Sequence, residues 1–297
     1  MNTMLQPASL RDAAASTFHR SSTGPRLPTP EGGSLIKSGG DPTLRGTMRG
    51  LSDVYSHPLY YDIAFGWDPT PEVEFYLEVF ERYAGSVKTV LELGCGTGRL
   101  LTEMAARGPY CVGLDVNPEM ARFAARRARM LGVQADVVRA DMAEFSLSGI
   151  DATFSAVNTI SALTTNEALA SHYASVSRAL RRGGVYVIDA ALNPSPGDRE
   201  EWEEKRDGIT VRAEWEVVSL LPRGRVLDRL RMVVRERRRS FELLDESPSR
   251  RMSPADLSEL PRRFGLEPIA WYLSFDLEDE VDSPPERGRV IAVLRRV

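Results

Sequence analysis

Apolar residues recur along this chain in two rhythms, and the change between them falls near residue 192. Before it, short aliphatic runs alternate with stretches in which apolar positions return every three or four residues, as in strands separated by helices. Residues 89–93, 111–114, 137–138, 152–157 and 185–188 read as five strands, the last set off by the Gly183-Gly184 break. Helices are predicted over residues 100–107, stopped by Gly108 and Pro109, over 118–131, capped by Asn117 and ended by Gly132, and over 166–181. Another precedes the first strand: Val73, Tyr76, Leu77 and Phe80 fall at helical spacing behind Pro71, with Asp68 or Thr70 as cap. Alternating strands and helices predict an α/β fold, a parallel sheet covered on both faces.

Past Asp189 the period shortens. Asn193, Pro194, Pro196 and Gly197 mark a loop, residues 210–221 and 226–237 read as long strands joined through 222–225, and another strand starts near 240–244. An antiparallel meander inserted there is expected to form a flap or a homodimer surface. A helix opened by Ser253-Pro254 and running to Phe264, then strands at 268–273 and 290–294, lead back to the core, with the acidic stretch 276–286 in solvent. Residues 1–50, rich in Ser, Thr, Gly and Pro and without periodicity, read as a disordered tail, with order beginning near Ser52. The expected organisation is this tail, an α/β core with an N-terminal lid over 51–192, inserted strands over 193–250 and closing elements over 251–297.

Composition narrows the class. The 297 residues carry a formal net charge of −4, which argues against a dedicated nucleic-acid binder. No apolar run approaches the roughly 18 residues of a spanning helix, so no membrane partner is expected and the setting is read as cytoplasmic. Two cysteines, Cys95 and Cys111, are too few for the usual zinc site or a disulfide framework, and no metal is expected.

The chemistry centres on VLELGCGTGRLL, residues 90–101. Gly94, Gly96 and Gly98 let the backbone approach a ligand with no Cβ in the way, and a helix start behind them offers unpaired N–H groups. The G-x-G-x-G spacing differs by one residue from the dinucleotide fingerprint, and Glu92 ahead of it suits a ligand that carries positive charge. Asp115, about twenty residues on at a strand end, can accept from ribose hydroxyls, and Asp141 can meet an adenine amino group with Met142 beside the ring. Singly, each acid could equally be a helix or loop cap.

With ELGCGTGRL, GLDVNPEM, RADMAEF and RALRRGGVYVIDA, the chain resembles the class I S-adenosylmethionine-dependent methyltransferase family over residues 55–297. The resemblance implies a Rossmann-like seven-stranded sheet with its last strand antiparallel and helices on both faces, plus the inserted meander after the fifth strand. It also implies S-adenosylmethionine as cofactor: methionine near Glu92, Gly94, Cys95, Gly96 and Gly98, ribose on Asp115, adenine near Val116, Asp141 and Met142, with Asn158 and Tyr61 adjoining. The inserted strands and the YYDIAF segment look most like small-molecule N-methyltransferases acting on amino sugars and glycine. The histidine that follows the fourth strand in the amino-sugar enzymes is replaced here by Ala162 in NTISAL, so that base is not carried over.

Candidates for substrate contact and catalysis are Asn158, Tyr60 and His57, with Tyr61 of the lid and Trp215 or Glu214 of the insert. Asn158 lies at a strand's carboxyl end, where ligands of such sheets sit. His172 is expected on a surface and His19 in the tail. Asn193-Pro194-Ser195-Pro196 resembles the motif of nucleic-acid amino methyltransferases but follows the wrong strand and lacks its aromatic, so it reads as a loop. Arg225, Arg229, Arg231, Arg235 and Arg237 share one strand face, paired with acids such as Glu214 and Glu216 or else open to an anionic partner. The leading expectation is methyl transfer to N or O of a small molecule. The alternatives are an RNA or protein methyltransferase and a non-catalytic binder of the cofactor.

Overall fold

The computed structural model describes residues 54–237 and 239–297; the tail over 1–50, the start of order near Ser52 and His19 lie outside the described residues. A turn of 3-10 helix, Val54–Ser56, leads into α1 (Pro58–Ala64) and α2 (Thr70–Ala84). The core then alternates: β1 (Thr89–Leu93), α3 (Arg99–Ala106), β2 (Tyr110–Asp115), α4 (Pro118–Leu131), β3 (Ala135–Arg139), β4 (Ile150–Ser155), α5 (Asn166–Ala179) and β5 (Leu180–Leu192). Asn117 caps α4 through its side chain, accepting from the N–H groups of Glu119 and Met120, and Gly132 closes the helix in the left-handed region.

Four strands follow, β6 (Arg199–Arg206), β7 (Ile209–Leu221), β8 (Arg225–Glu236) and β9 (Arg239–Arg250), and pair in that order as a separate antiparallel sheet. The chain returns through α6 (Pro254–Ser258), β10 (Leu266–Tyr272), the two-residue β11 (Glu280–Val281) and β12 (Gly288–Arg296). The large sheet runs β11-β10-β12-β5-β4-β1-β2-β3, with β1 to β5 parallel and β12 antiparallel to both β5 and β10. This is the Rossmann-like architecture expected, with an eighth, minimal strand at its edge. Two apolar layers cover its faces, one around Leu91, Leu114, Ile188 and Tyr173, the other around Val90, Phe154, Val187 and Tyr76.

The inserted sheet buries one face. Val211, Ala213, Met232, Val234 and Leu243 pack with Ile63, Ala64 and Trp202 over α1, and the Trp202 indole donates to the Ala64 carbonyl at 2.6 Å. Asp62, 1% exposed, locks this junction by pairing with Arg127 of α4 at 2.5 Å and Arg206 of β6 at 2.6 Å.

Several expectations need correcting. Gly183 and Gly184 do not break a strand; β5 runs through them, and a Cβ on Gly184 would stand 2.8 Å from the Asp151 carbonyl oxygen. The acidic run of β6 was not foreseen because Trp202 alone interrupts its charge; pairing with β7 makes it a strand. The helix expected to reach Phe264 splits, since Pro261 starts a separate 3-10 turn. Stretch 276–286 contains another such turn and β11. His172 lies in the core, fully buried, its ring nitrogens 2.7 Å from the Met142 carbonyl oxygen and 2.9 Å from the Tyr186 hydroxyl. Burial pushes its pKa down to about 4. Its helix faces the sheet at that position, a fact that depends on which side of α5 packs inward.

Candidate functional site

The site is built where β1 ends. Gly94, Gly96 and Gly98 adopt φ of 71°, 52° and 77°, so the turn winds tightly into α3. A Cβ on Gly94 would lie 2.3 Å from Thr159 Cγ2, and one on Gly98 3.0 Å from the Ala124 Cβ of α4. The Gly94 and Cys95 N–H groups bond to the Leu114 carbonyl, at 2.7 and 3.0 Å. The Cys95 thiol turns back toward Gly113, and burial raises its pKa well above the ordinary thiol value, so it is an unreactive packing group.

Asp115 organises the turn from the neighbouring strand. One carboxylate oxygen accepts from the Gly96 N–H and the other from the Asn117 N–H, both at 2.8 Å. Burial raises its pKa while those two N–H groups oppose the shift. Each oxygen keeps a lone pair for a ligand hydroxyl. Beside it, Val116 is largely exposed and Met142 buried, at the ends of β2 and β3. Asp141 is exposed and its Oδ1 accepts from the Ala143 N–H at 2.8 Å, which shapes the turn that carries Met142.

Behind the glycines, Glu92 is 4% exposed and its Oε2 has no hydrogen-bond partner among the described residues. Burial pushes this carboxyl up to about 8, although Arg99 acts the other way. Arg99 is itself committed to Glu72 at 2.7 Å and lies over the Trp67 ring. An orphaned acid beside a Cβ-free cradle is suited to a cation. The Glu72–Arg99 pair was missed in sequence because its members come from α2 and α3 and meet only when these pack.

The loop after β4 forms the opposite wall. Val157 and Asn158 sit at φ 51° and 55°, an unfavourable region for a β-branched residue. Asp189 holds them there: it accepts from the Val157 N–H at 2.9 Å and takes two bonds from Arg289, at 2.9 and 3.1 Å. Asn158 Oδ1 accepts from the Ala191 N–H at 3.0 Å, so this side chain secures the loop to β5. The 3-10 turn Thr159–Ala162 that follows brings Thr159 against Gly94.

The lid residues divide. Tyr61 covers the glycine turn, its ring edge 3.9 Å from where a Gly96 Cβ would be, and stacks on Phe65. Tyr60 points to the inserted sheet, donating to Glu236 at 3.0 Å with its ring edge-on to Phe241, and so stands apart from the glycines. His57 is exposed at the start of α1. Trp215 packs on the inner face of the insert, whereas Glu214 lies on the outer face beside Arg231. The arginine face is paired at its middle, Arg229 with Glu216 and Glu246 and Arg231 with Glu242 and Glu214, while Arg225 donates to the Pro222 carbonyl and Arg237 leaves the strand at a turn.

Residues 90–184 match the family model described as "Methyltransferase domain". No curated protein matches the chain in sequence. Its fold is similar to that of DesVI from Streptomyces venezuelae, with a TM-score of 0.67 at 21% identity over 82% of this chain and 98% of that one. The sugar N-methyltransferase KedS8 from a Streptoalloteichus species is similar too, with a TM-score of 0.67 at 22% identity over 88% and 100%. So is SAM-bound CalS10, an amino pentose methyltransferase from Micromonospora echinaspora, at 0.63 and 21% over 79% and 96%. Residues 90–184 are thus similar to a methyltransferase domain, and the chain shares the Rossmann-like fold of these methyltransferases.

Proposed function

We propose that this chain is an S-adenosylmethionine-dependent methyltransferase that alkylates a nitrogen of a small molecule. The observation that carries the reading is the convergence, at the carboxyl ends of β1 and β2, of a Cβ-free turn, the orphaned Glu92 oxygen and Asp115. Bound there, the cofactor supplies a methyl group on a sulfonium, already an excellent leaving group. Glu92 faces the ammonium of its amino-acid end, Gly94 and Gly96 admit the backbone close to it, and Asp115 receives the ribose hydroxyls. Val116 and Met142 flank the base, and Tyr61 shields the glycine turn from water.

What remains for the protein is to orient an acceptor in line and exclude solvent, and well-oriented reactions reach effective molarities of ~10⁵ M or more. A neutral amine needs no base, whereas a hydroxyl does. The wall after β4 offers none: Asn158 is bonded to Ala191 and position 162 is alanine. That supports nitrogen over oxygen. An RNA partner is disfavoured because Arg229 and Arg231, at the middle of the β8 face, are paired with acids across the ladder.

The test is transfer of labelled methyl from S-adenosylmethionine to small amines, phenols and carboxylates, beside RNA and protein. Label on amines is expected. Label on RNA with a steep salt dependence would overturn the small-molecule reading, and calorimetry showing no binding of S-adenosylhomocysteine would remove the cofactor.

A further inference from the structure

The inner face of the inserted sheet changes character along its length. On β8 the inward positions are Val234, Met232 and Leu230, which pack over α1, and then Asp228. On β9 the inward positions Phe241 and Leu243 are followed by Asp245 and Ser249. Leu230 stands opposite Asp245 and Asp228 opposite Ser247, so the two acids are diagonal neighbours on one face. Asp245 is 6% exposed, and its carboxylate accepts from the Ser247 hydroxyl at 2.8 Å. Asp228 accepts from Ser249 through one oxygen, and its other oxygen, Oδ1, is buried with no partner among the described residues. Neither acid has an ion-pair partner among the described residues.

The pair borders the site already described. The Val54–Ser56 turn packs on both β8 and β9, and the Thr159–Ala162 turn, which touches Gly94, packs on β9. Tyr55 stands at the meeting point. Its ring lies 5.6 Å from that of Tyr61 while the residue keeps 37% of its surface exposed, and desolvation of its hydroxyl, followed by the carboxylates of Asp245, Asp115 and Asp228, raises the pKa of that hydroxyl. The two acids and the ribose-binding Asp115 therefore flank one aromatic side chain. Buried like charges without a counter-ion are unfavourable, and Asp228 shows it: burial raises its pKa and Asp245 adds to the rise. Among the described residues no group of three metal-ligating side chains could hold an ion, so an organic cation suits the pair better than a metal.

We propose that Asp228 and Asp245 receive the protonated amino group of the methyl acceptor and so select an amine over the corresponding alcohol. This rests on the methyltransferase reading and adds to it which residues recognise the acceptor. The carboxylate oxygens accept the ammonium N–H bonds and one carboxylate takes a proton from the nitrogen, which frees its lone pair for attack on the methyl group; the apolar end of the inner face around Leu230 and Trp215 meets the rest of the molecule, and Tyr55 lies between the amine and Asp115. Sequence alternation carried a signal, since Asp228 interrupts an apolar period-two series, but which face it joined depended on the packing of the sheet against α1.

The test compares the native protein with Asp228→Asn, Asp245→Asn and the double variant. If the acids are held ready for a cation, removing their charge relieves repulsion, and the double variant melts higher by roughly 2–4 °C. An unchanged or lower melting temperature means the acids serve the fold and overturns the proposal. A second readout is protection of the S-adenosylhomocysteine-loaded protein by glucosamine, benzylamine and ethanolamine, each against its hydroxyl counterpart at matched ionic strength. Amines that raise the native melting temperature, and lose on the order of tenfold in affinity in the double variant, support the pair. Equal protection of both proteins, or by alcohols as well as amines, overturns it. Absence of S-adenosylhomocysteine binding to the native protein would instead sink the methyltransferase reading, independently of the melting result.

Discussion

The large sheet buries both of its faces, whereas the inserted sheet buries one and gives the other to ion pairs. Around the large sheet, His172 is satisfied by Met142 and Tyr186 and Asp189 by Arg289, while Tyr76, Glu92, Thr153 and Ser155 each keep a buried oxygen with no hydrogen-bond partner among the described residues. Its ligand-facing groups gather at the strand ends, where parallel topology leaves a crevice. The inserted sheet has an outer ladder of arginine and glutamate and an inner face that is apolar over α1 and acidic beyond it. The difference teaches where specificity can be altered cheaply. Changing the core layer disturbs close packing on two sides, while the inner face of the insert can change its chemistry and keep its fold.

The comparison can be broken or sharpened by substitution. The largest effect is expected at the junction: Asp62→Ala leaves Arg127 and Arg206 without their shared buried partner and should cost about 4 kcal/mol in chemical denaturation. A cost near zero would mean the two sheets are held together by the apolar contacts over α1 alone. Next, Asp115→Ala removes the proposed ribose contact and frees the Gly96 and Asn117 N–H groups, so S-adenosylhomocysteine affinity should fall on the order of 100-fold by calorimetry. Unchanged affinity would move the cofactor away from β2.

A smaller effect is read from pH. His172 titrates near 4 when folded and near 6.5 when unfolded, so the unfolded chain binds the extra proton between those values. Its contribution is complete above pH 6.5 and is lost as pH falls from there through 4, the loss reaching about 2 kcal/mol at pH 5. Replacement by Gln should flatten that part of the stability profile; an unaltered slope would assign it elsewhere. The smallest effect belongs to the outer ladder, where Arg229→Ala should leave the melting temperature within error because exposed pairs are screened. A marked loss would show that the ladder holds the inserted sheet together.

Much of the core was legible because its signals are local. The first strand, the glycine turn, the Asn117 cap and Gly132 are written in residues that touch one another, and all four appear where the spacing predicted. Near misses lie where distant partners decide. β6 is a strand because β7 pairs with it, and β5 reaches back past its two glycines to Leu180, which pairs with Ile150 of β4 across a register shift. Candidate site residues divided the same way. Asp115 meets the glycine turn through bonds that follow from the strand-turn-helix arrangement, while the orientation of Tyr60 toward Glu236 required the insert to be in place.

By itself the amino-acid sequence determined the alternation of the core, the turn at Gly94 to Gly98 and the acid at the end of β2, since hydrophobic period and backbone freedom act over a few residues. Tertiary structure alone decided that His172 is buried, that Asp62 ties two sheets together, and that Asp228 and Asp245 share a face beside Tyr55. Those outcomes depend on which face of an element packs inward. That choice is made by the summed burial of residues far apart in the chain, which no local pattern records.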